Sequence, residues 1–417
     1  MRISLNYLII SVFVIVLISC GSEEKNTKKV DLTNEEVLTI IDILPPANNG
    51  SSVSNLHISD AGIVYLTWIE TLENGSAVLY YSTLDGDNWT ESIKIAAGDN
   101  WIVNWADFPS LTNFGENSLV VNNLIETDPA TFAYDVGLII SNDNGKTWNT
   151  AFITPHKDAT QTEHGFVSLI PYQNETFIAI WLDGRKYAQD GDEMTLRAAI
   201  INKEGKIEQD FVLDERVCDC CATDAVITDE GEVAVVYRNR DENELRDMSI
   251  VYFKNGEWTT PKLIAKDNWM IAGCPVNGPA IDASANKLAI AWFTSAKDTP
   301  IVKFIYSDYF DSEFSSPIKI NTSTPIGRVD ICFIDENTAA VSWMEGNEKA
   351  TYLKVRTVKT NGTGDLGEAI TVTKMNDSRS SGFPKMVKTD NQLLFTWTTT
   401  DNETTIKTAA VYISALK

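Results

Sequence analysis

An all-β, seven-bladed β-propeller is the fold that this 417-residue sequence predicts. Three observations predict it. Beyond residue 30 no stretch sustains a 3.6-residue apolar period; short runs rich in Val, Ile, Thr, Trp and Tyr alternate with Gly, Asn and Asp, as strands and turns do. One strand type recurs seven times, anchored by Trp68, Leu124, Trp181, Tyr237, Trp292, Trp343 and Trp397, every 51–57 residues. A period near ~55 residues holds four strands and their turns, which is one propeller blade. A six-bladed ring is the alternative count.

Each blade is marked by that recurrent second strand, in residues 63–69, 119–125, 176–182, 232–238, 287–293, 338–344 and 392–398. The seventh blade has strands near 384–388, 392–398 and 406–413. Its fourth is expected from Val37–Leu44, a strand-like run ahead of Pro45 and Pro46. Borrowing it closes the ring and leaves no open sheet edge. Residues 37–417 therefore read as one propeller domain.

Ahead of the propeller lies an address. Arg2, a short apolar run from Tyr7 to Ile18, and Ser19 before Cys20 form a secretory signal over residues 1–19. The segment Leu17-Ile-Ser-Cys20 resembles the lipobox of bacterial lipoproteins. That resemblance implies acylation of Cys20 and membrane attachment through the N-terminal lipid, at ~0.8 kcal/mol per buried CH₂. Gly21 in place of Asp implies the outer membrane, on its periplasmic or its cell-surface face. Residues 20–36 are a polar, flexible tether. The chain carries 34 Lys and Arg against 58 Asp and Glu, a net charge of −24. Such a surface repels phosphate backbones, which excludes nucleic acid as a partner. A monomer is expected.

One turn identifies a relationship. Ser141-Asn-Asp143-Asn-Gly145-Lys-Thr-Trp148 matches the Asp-box, S-x-D-x-G-x-x-W, with degenerate copies at Ser82–Trp89 and Ser307–Phe314. Asp and Gly suit a tight hairpin turn and Trp packs on the blade. The chain resembles the sialidase-like, BNR-repeat β-propellers of bacteria. The resemblance implies that this turn joins a third and a fourth strand, on the face away from an active site.

In a propeller, links between blades and turns after second strands share one rim. On that rim the sequence collects Asp183, Arg185, Arg238, Arg240, Arg328, Trp101, Trp105, His164, the Cys218-Asp-Cys220-Cys221 segment, Trp269, Cys274 and Asn277, with Arg246 and Asp247 opening a third strand. Arginine is a rigid bidentate fork for carboxylate or sulfate. Arg185, Arg238, Arg240, Arg246 and Arg328, with Trp269 and Asn277, are the candidate binding residues for an anionic oligosaccharide. The competing reading is internal bracing, for example Arg185 with Asp183 or Arg240 with Asp247. His164 is one of three histidines and a candidate base. Asp183 and Asp247 are candidate acids, since a partly buried carboxyl can hold its proton.

Six cysteines divide by position. Cys20 is the lipidation site and Cys332, in an alternating run, reads as a buried small hydrophobe. Outside the cytoplasm Cys218, Cys220, Cys221 and Cys274 are expected in disulfides, one of them to Cys274, stapling blades four and five. A four-thiolate site for zinc or copper(I), or free thiols, are the alternatives. No cofactor and no metal are otherwise expected. Three functions stay open. The first is a sialidase-type exo-glycosidase on an anionic glycan, with Arg185, Arg240 and Arg328 on the substrate carboxylate. The second is a polysaccharide lyase on uronate glycans, since some ulvan lyases resemble seven-bladed propellers, with His164 or a Tyr as base. The third is a non-catalytic glycan- or metal-binding lipoprotein.

Overall fold

The computed structural model describes residues 40–416 except 150, 190 and 348. The signal segment, Cys20 and the tether lie outside the described residues. Seven antiparallel sheets follow one another along the chain, so the ring has seven blades, not the alternative six. The second strands are Val64–Thr71, Ser118–Asp128, Thr176–Asp183, Val233–Arg238, Lys287–Thr294, Thr338–Asn347 and Gln392–Thr399. Each matches a run expected from the repeat. They lack simple alternation because both faces of a blade pack against neighbouring blades. Trp68, Tyr237, Trp292 and Trp343 are fully buried, and each such side chain contributes on the order of 2–3 kcal/mol.

The closing strand is Ile40–Ile43, which pairs antiparallel with Thr405–Tyr412 in the register Ile40 to Val411 and Ile43 to Thr408. Residues 37–39 of the expected strand lie outside the described residues.

The innermost strands surround a channel of about 350 Å³. Carboxylates there staple successive blades. Asp107 accepts from the Phe166 amide at 2.7 Å, Asp224 from Ile281 at 2.9 Å, Asp282 from Phe333 at 2.6 Å and Asp330 from Met386 at 2.6 Å. Burial raises the carboxyls of Asp107 and Asp282 to about 7 and that of Asp224 to about 6.

The Ser141–Trp148 turn follows the third strand of blade two, Ala133–Ser141. The Ser141 hydroxyl donates to Asp143 at 2.8 Å and accepts from the Gly145 amide at 2.9 Å; Asp143 accepts from the Thr147 amide at 2.8 Å; the Trp148 indole donates to the Gly145 carbonyl at 3.1 Å. Gly145 has φ +80°, and a Cβ there would meet the Tyr81 hydroxyl at 2.3 Å, so this position requires glycine.

Candidate functional site

Antiparallel pairing puts the start of each inner strand beside the end of the second: His164 pairs with Asp183. The expected rim residues therefore share one end of the ring. They do not meet at one point. They divide into a histidine–carboxylate cluster on blade three, an arginine–thiol cluster between blades three and four, and braces between blades four and seven.

On blade three, Asp183 is fully buried and accepts from the Trp181 indole at 2.9 Å and from two guanidinium nitrogens of Arg185 at 2.7 Å each. Gly184 permits this turn, because a Cβ there would lie 2.6 Å from the Glu163 carbonyl oxygen. Burial works against the Asp183 charge, but the bonds from Arg185 and the charge of His164 outweigh it and hold the carboxyl below its ordinary value. Asp183 is thus an ionised brace and not the proton donor expected. His164 is also fully buried and stacks on His156, ring centroids 4.0 Å apart and planes 6° apart. Both rings bond to Asp158, His156 through Nδ1 at 3.0 Å and His164 through Nε2 at 3.1 Å. Burial disfavours the His164 cation, yet the Asp158 bond and the charges of Asp183, Asp158 and Asp135 raise its pKa above the ordinary value. A buried imidazolium held by three carboxylates is a poor base.

Between blades three and four, Arg240 meets Glu244 at 2.7 Å and Asp219 at 3.2 Å, and Arg246 meets Glu244 at 2.7 Å. Arg240 is braced as the competing reading had it, with different partners. Arg246 Nη1 also lies 3.3 Å from the Cys218 sulfur. Cys218, Cys220 and Cys221 gather within 4.8 Å of one another, with the Cys218 and Cys221 sulfurs 2.9 Å apart. Cys274 is exposed and outside this group, and Cys218, Cys220, Cys221, Cys274 and Cys332 are all thiols. The expected staple to Cys274 is therefore not formed: the three neighbours turn inward together, while Cys274 faces solvent.

The remaining candidates are braces. Arg238, 2% exposed, donates to the carbonyls of Asn277, Arg246 and Phe293 and stacks on Trp269, 4.8 Å from the ring centroid. Arg328 donates to Gly382 and Ser378 carbonyls and lies over Trp105 at 5.2 Å; burial lowers its pKa to about 10. Asn277 accepts from the Arg328 amide at 2.8 Å. Asp247, 2% exposed, accepts from the Asn268 and Trp269 amides at 2.9 and 3.0 Å. These four residues, Arg238, Arg328, Asn277 and Asp247, carry no open group toward a ligand. Trp269 is buried, and Trp105 stacks on Phe383 at 5.8 Å.

Sequence reasoning missed Asp135 and Asp158, and the contact of the Tyr134 hydroxyl with Glu163; it had Glu244 only as a partner of Tyr237, not of Arg240 and Arg246. The one local signal was His156-x-Asp158 ahead of His164. Among the described residues three donor sets could hold a metal; in one of them, Asp158, His164 and Asp183, both carboxylates are already paired with Arg185. In the set His156, His164 and Asp135, the nitrogens His156 Nε2 and His164 Nδ1 are buried without hydrogen-bond partners. They lie 3.7 and 3.5 Å from Asp135. Imidazole lone pairs lie in the ring plane, and an ion shared by two parallel stacked rings would sit outside both planes. The fit is poor. The three-thiol set has no such conflict.

No protein-family model matches the chain, and no curated protein matches it. Solved structures do. A lectin from Burkholderia pseudomallei is similar with a TM-score of 0.59 and 12% identity, over 90% of this chain and 96% of the lectin. An ulvan lyase, described as a new family of polysaccharide lyase, is similar with a TM-score of 0.56 and 10% identity, over 89% of this chain and 96% of its own. A protein of unknown function from Dyadobacter fermentans is similar with a TM-score of 0.51 and 11% identity, over 89% and 98%. At such identities the likeness is one of fold, and it agrees with the propeller.

Proposed function

We propose that the chain is a non-catalytic carbohydrate-binding protein that takes a glycan on the rim of blades three and four, beside Tyr187. The observation that carries this reading is the Tyr187 ring. It is 41% exposed in the 185–189 turn, with its hydroxyl beside Arg240 and part-exposed Lys186 next to it in the turn. An amphipathic ring of this kind offers a flat face for stacking and a polar tip for orientation. Binding is preferred to hydrolysis because a retaining hydrolase needs a protonated acid ~5 Å from a nucleophile, and Asp183 is ionised while Asp247 is engaged by backbone amides. Each of the five arginines already has a carboxylate or carbonyl partner, so the glycan is held by stacking and hydrogen bonds more than by charge. The lectin likeness is consistent with this. Attachment to the outer membrane through acylated Cys20 belongs to the same proposal.

Calorimetric titration of the chain with neutral and uronate-containing oligosaccharides tests it. The expected result is saturable binding with little salt dependence, weakened at least about tenfold by Tyr187→Ala with the melting temperature unchanged. New reducing ends would restore the hydrolase. An unsaturated-uronate ultraviolet absorbance would restore the lyase. Absence of binding to every glycan overturns the reading.

A further inference from the structure

The three sulfurs of Cys218, Cys220 and Cys221 lie at the link between the outer strand of blade three, Ile207–Val217, and the inner strand of blade four, Asp224–Ile227. Three features set them apart from an ordinary thiol pair. All three sulfurs lie within 4.8 Å of one another, whereas a disulfide uses two and leaves the third idle. Cys218 and Cys221 are 1% and 2% exposed while Cys220 is half-buried, which leaves one open side. A guanidinium group stands beside the cluster: Arg246 reaches the Cys218 sulfur at 3.3 Å.

We propose that Cys218, Cys220 and Cys221 form a three-thiolate site for a soft monovalent metal ion, copper(I). Soft thiolates select copper(I) and zinc. Zinc in a closed site asks for a fourth ligand in a tetrahedron. Among the described residues the cluster comprises three donors, and the nearby Asp219 carboxylate is already held by Arg240 at 3.2 Å. Three sulfur donors within 4.8 Å of one another suit trigonal copper(I). On binding, each thiol releases its proton to solvent and donates an electron pair to the metal; no electron is transferred. Three thiolates and one copper(I) carry a net charge of −2, which the Arg246 guanidinium beside the Cys218 sulfur reduces.

The test is anaerobic titration of the reduced full chain with copper(I) against a chromogenic copper(I) chelator. The expected result is about one copper per chain, with an ultraviolet thiolate-to-copper charge-transfer band. The paired change Cys220→Ser and Cys221→Ser abolishes both. Cys220→Ser alone, at the least buried position, weakens binding at least about tenfold if the pair fails to fold. Cys20→Ser and Cys274→Ser leave both signals intact. No copper uptake by the reduced chain overturns the proposal, as does uptake unaffected by Cys220→Ser, or zinc that copper(I) does not displace. Copper uptake by Tyr187→Ala stays at the wild-type level, so this proposal and the glycan reading fail separately.

Discussion

In blade six the Trp343 indole donates to Glu345 at 2.8 Å, and the same carboxylate accepts from the Thr322 and Ser323 amides at 2.8 and 2.9 Å. In blade one the Trp68 indole donates to Glu70 at 3.1 Å, and Glu70 accepts from the Asn48 amide at 2.9 Å. In blade three the Trp181 indole donates to Asp183, but the other partners are Arg185 and, at 3.8 Å, His164. A two-residue step returns a side chain to the same face of a strand, so the repeat itself builds an indole–carboxylate pair at this rim. Glutamate is long enough to reach the incoming link. Aspartate is one methylene shorter; it accepts from the Arg185 amide of its own turn at 3.2 Å and otherwise from side chains. Asp183 is therefore the blade-three form of this indole–carboxylate pair, with Arg185 and His164 beside it.

The largest test of that difference is Asp183→Ala. It leaves Arg185 and buried His164 with one carboxylate fewer, and breaking such a network costs ~3–5 kcal/mol. The lower end is expected, because the Arg185 side chain is 20% exposed and solvent screens its share. Glu345→Gln keeps an acceptor oxygen and is expected to cost ~1–2 kcal/mol. Denaturation midpoints of the two variants decide; equal losses would dissolve the distinction between blades three and six.

The two blades also differ in pH response. Glu345 has its pKa lowered to about 2, by the bonds of Thr322, Ser323 and Trp343 acting against burial. Its contribution is present above ~4.5 and lost as pH falls toward that value. Asp183 is lowered as well and behaves likewise. His164 is raised, so its contribution is full below ~6.5 and lost as pH rises through its folded value. Blade three alone adds this alkaline loss. The channel adds another below it: Asp107 and Asp282 are raised to about 7, so stability falls as pH climbs from ~4 to ~7. Melting temperatures across this range should fall toward alkaline pH. Asp282→Asn should flatten the fall below ~7, and His164→Gln the part above it. A wild-type curve that rises with pH through this range would contradict both assignments.

Blade number, second strands and ring closure were legible because they depend on local apolar period and on spacing, which a sequence displays directly. The common rim of Arg185, Arg240 and Cys218 was legible too, since it follows from strand alternation. Their partners were not. Asp158 sits in a long irregular segment before His164, and Glu244 in a turn after Arg240; no period announces where such loops fold back. Type alone suggested that five arginines face a ligand. Arg238 and Arg328 face carbonyls of neighbouring links instead, a role that depends on the arrangement of blades five to seven and leaves no local mark. The thiols misled for the same reason: expecting a bridge to Cys274 required two links to converge, while three residues within one link sufficed to gather Cys218, Cys220 and Cys221.

The smallest expected effect lies in blade one. Glu70 holds Asn48 through both oxygens, Oε1 to the Asn48 amide at 2.9 Å and Oε2 to Asn48 Nδ2 at 3.2 Å. In Glu70→Gln, Oε1 can keep the indole and backbone bonds while the new amide faces the Asn48 side chain. Asn48 can answer by rotating its own amide to present oxygen, since its two ends are nearly alike in shape. The cost should stay below ~1 kcal/mol. Glu345→Gln has no such escape. Its Oε1 lies 3.1 Å from the Lys354 ammonium, and an amide N–H₂ in that place opposes a cation, while Oε2 remains committed to three donors. A calorimetric melting difference between the two glutamine variants isolates this. If Glu70→Gln proved as costly as Glu345→Gln, the partner's ability to flip would not be what separates the two blades, and the charge of the carboxylate itself would be.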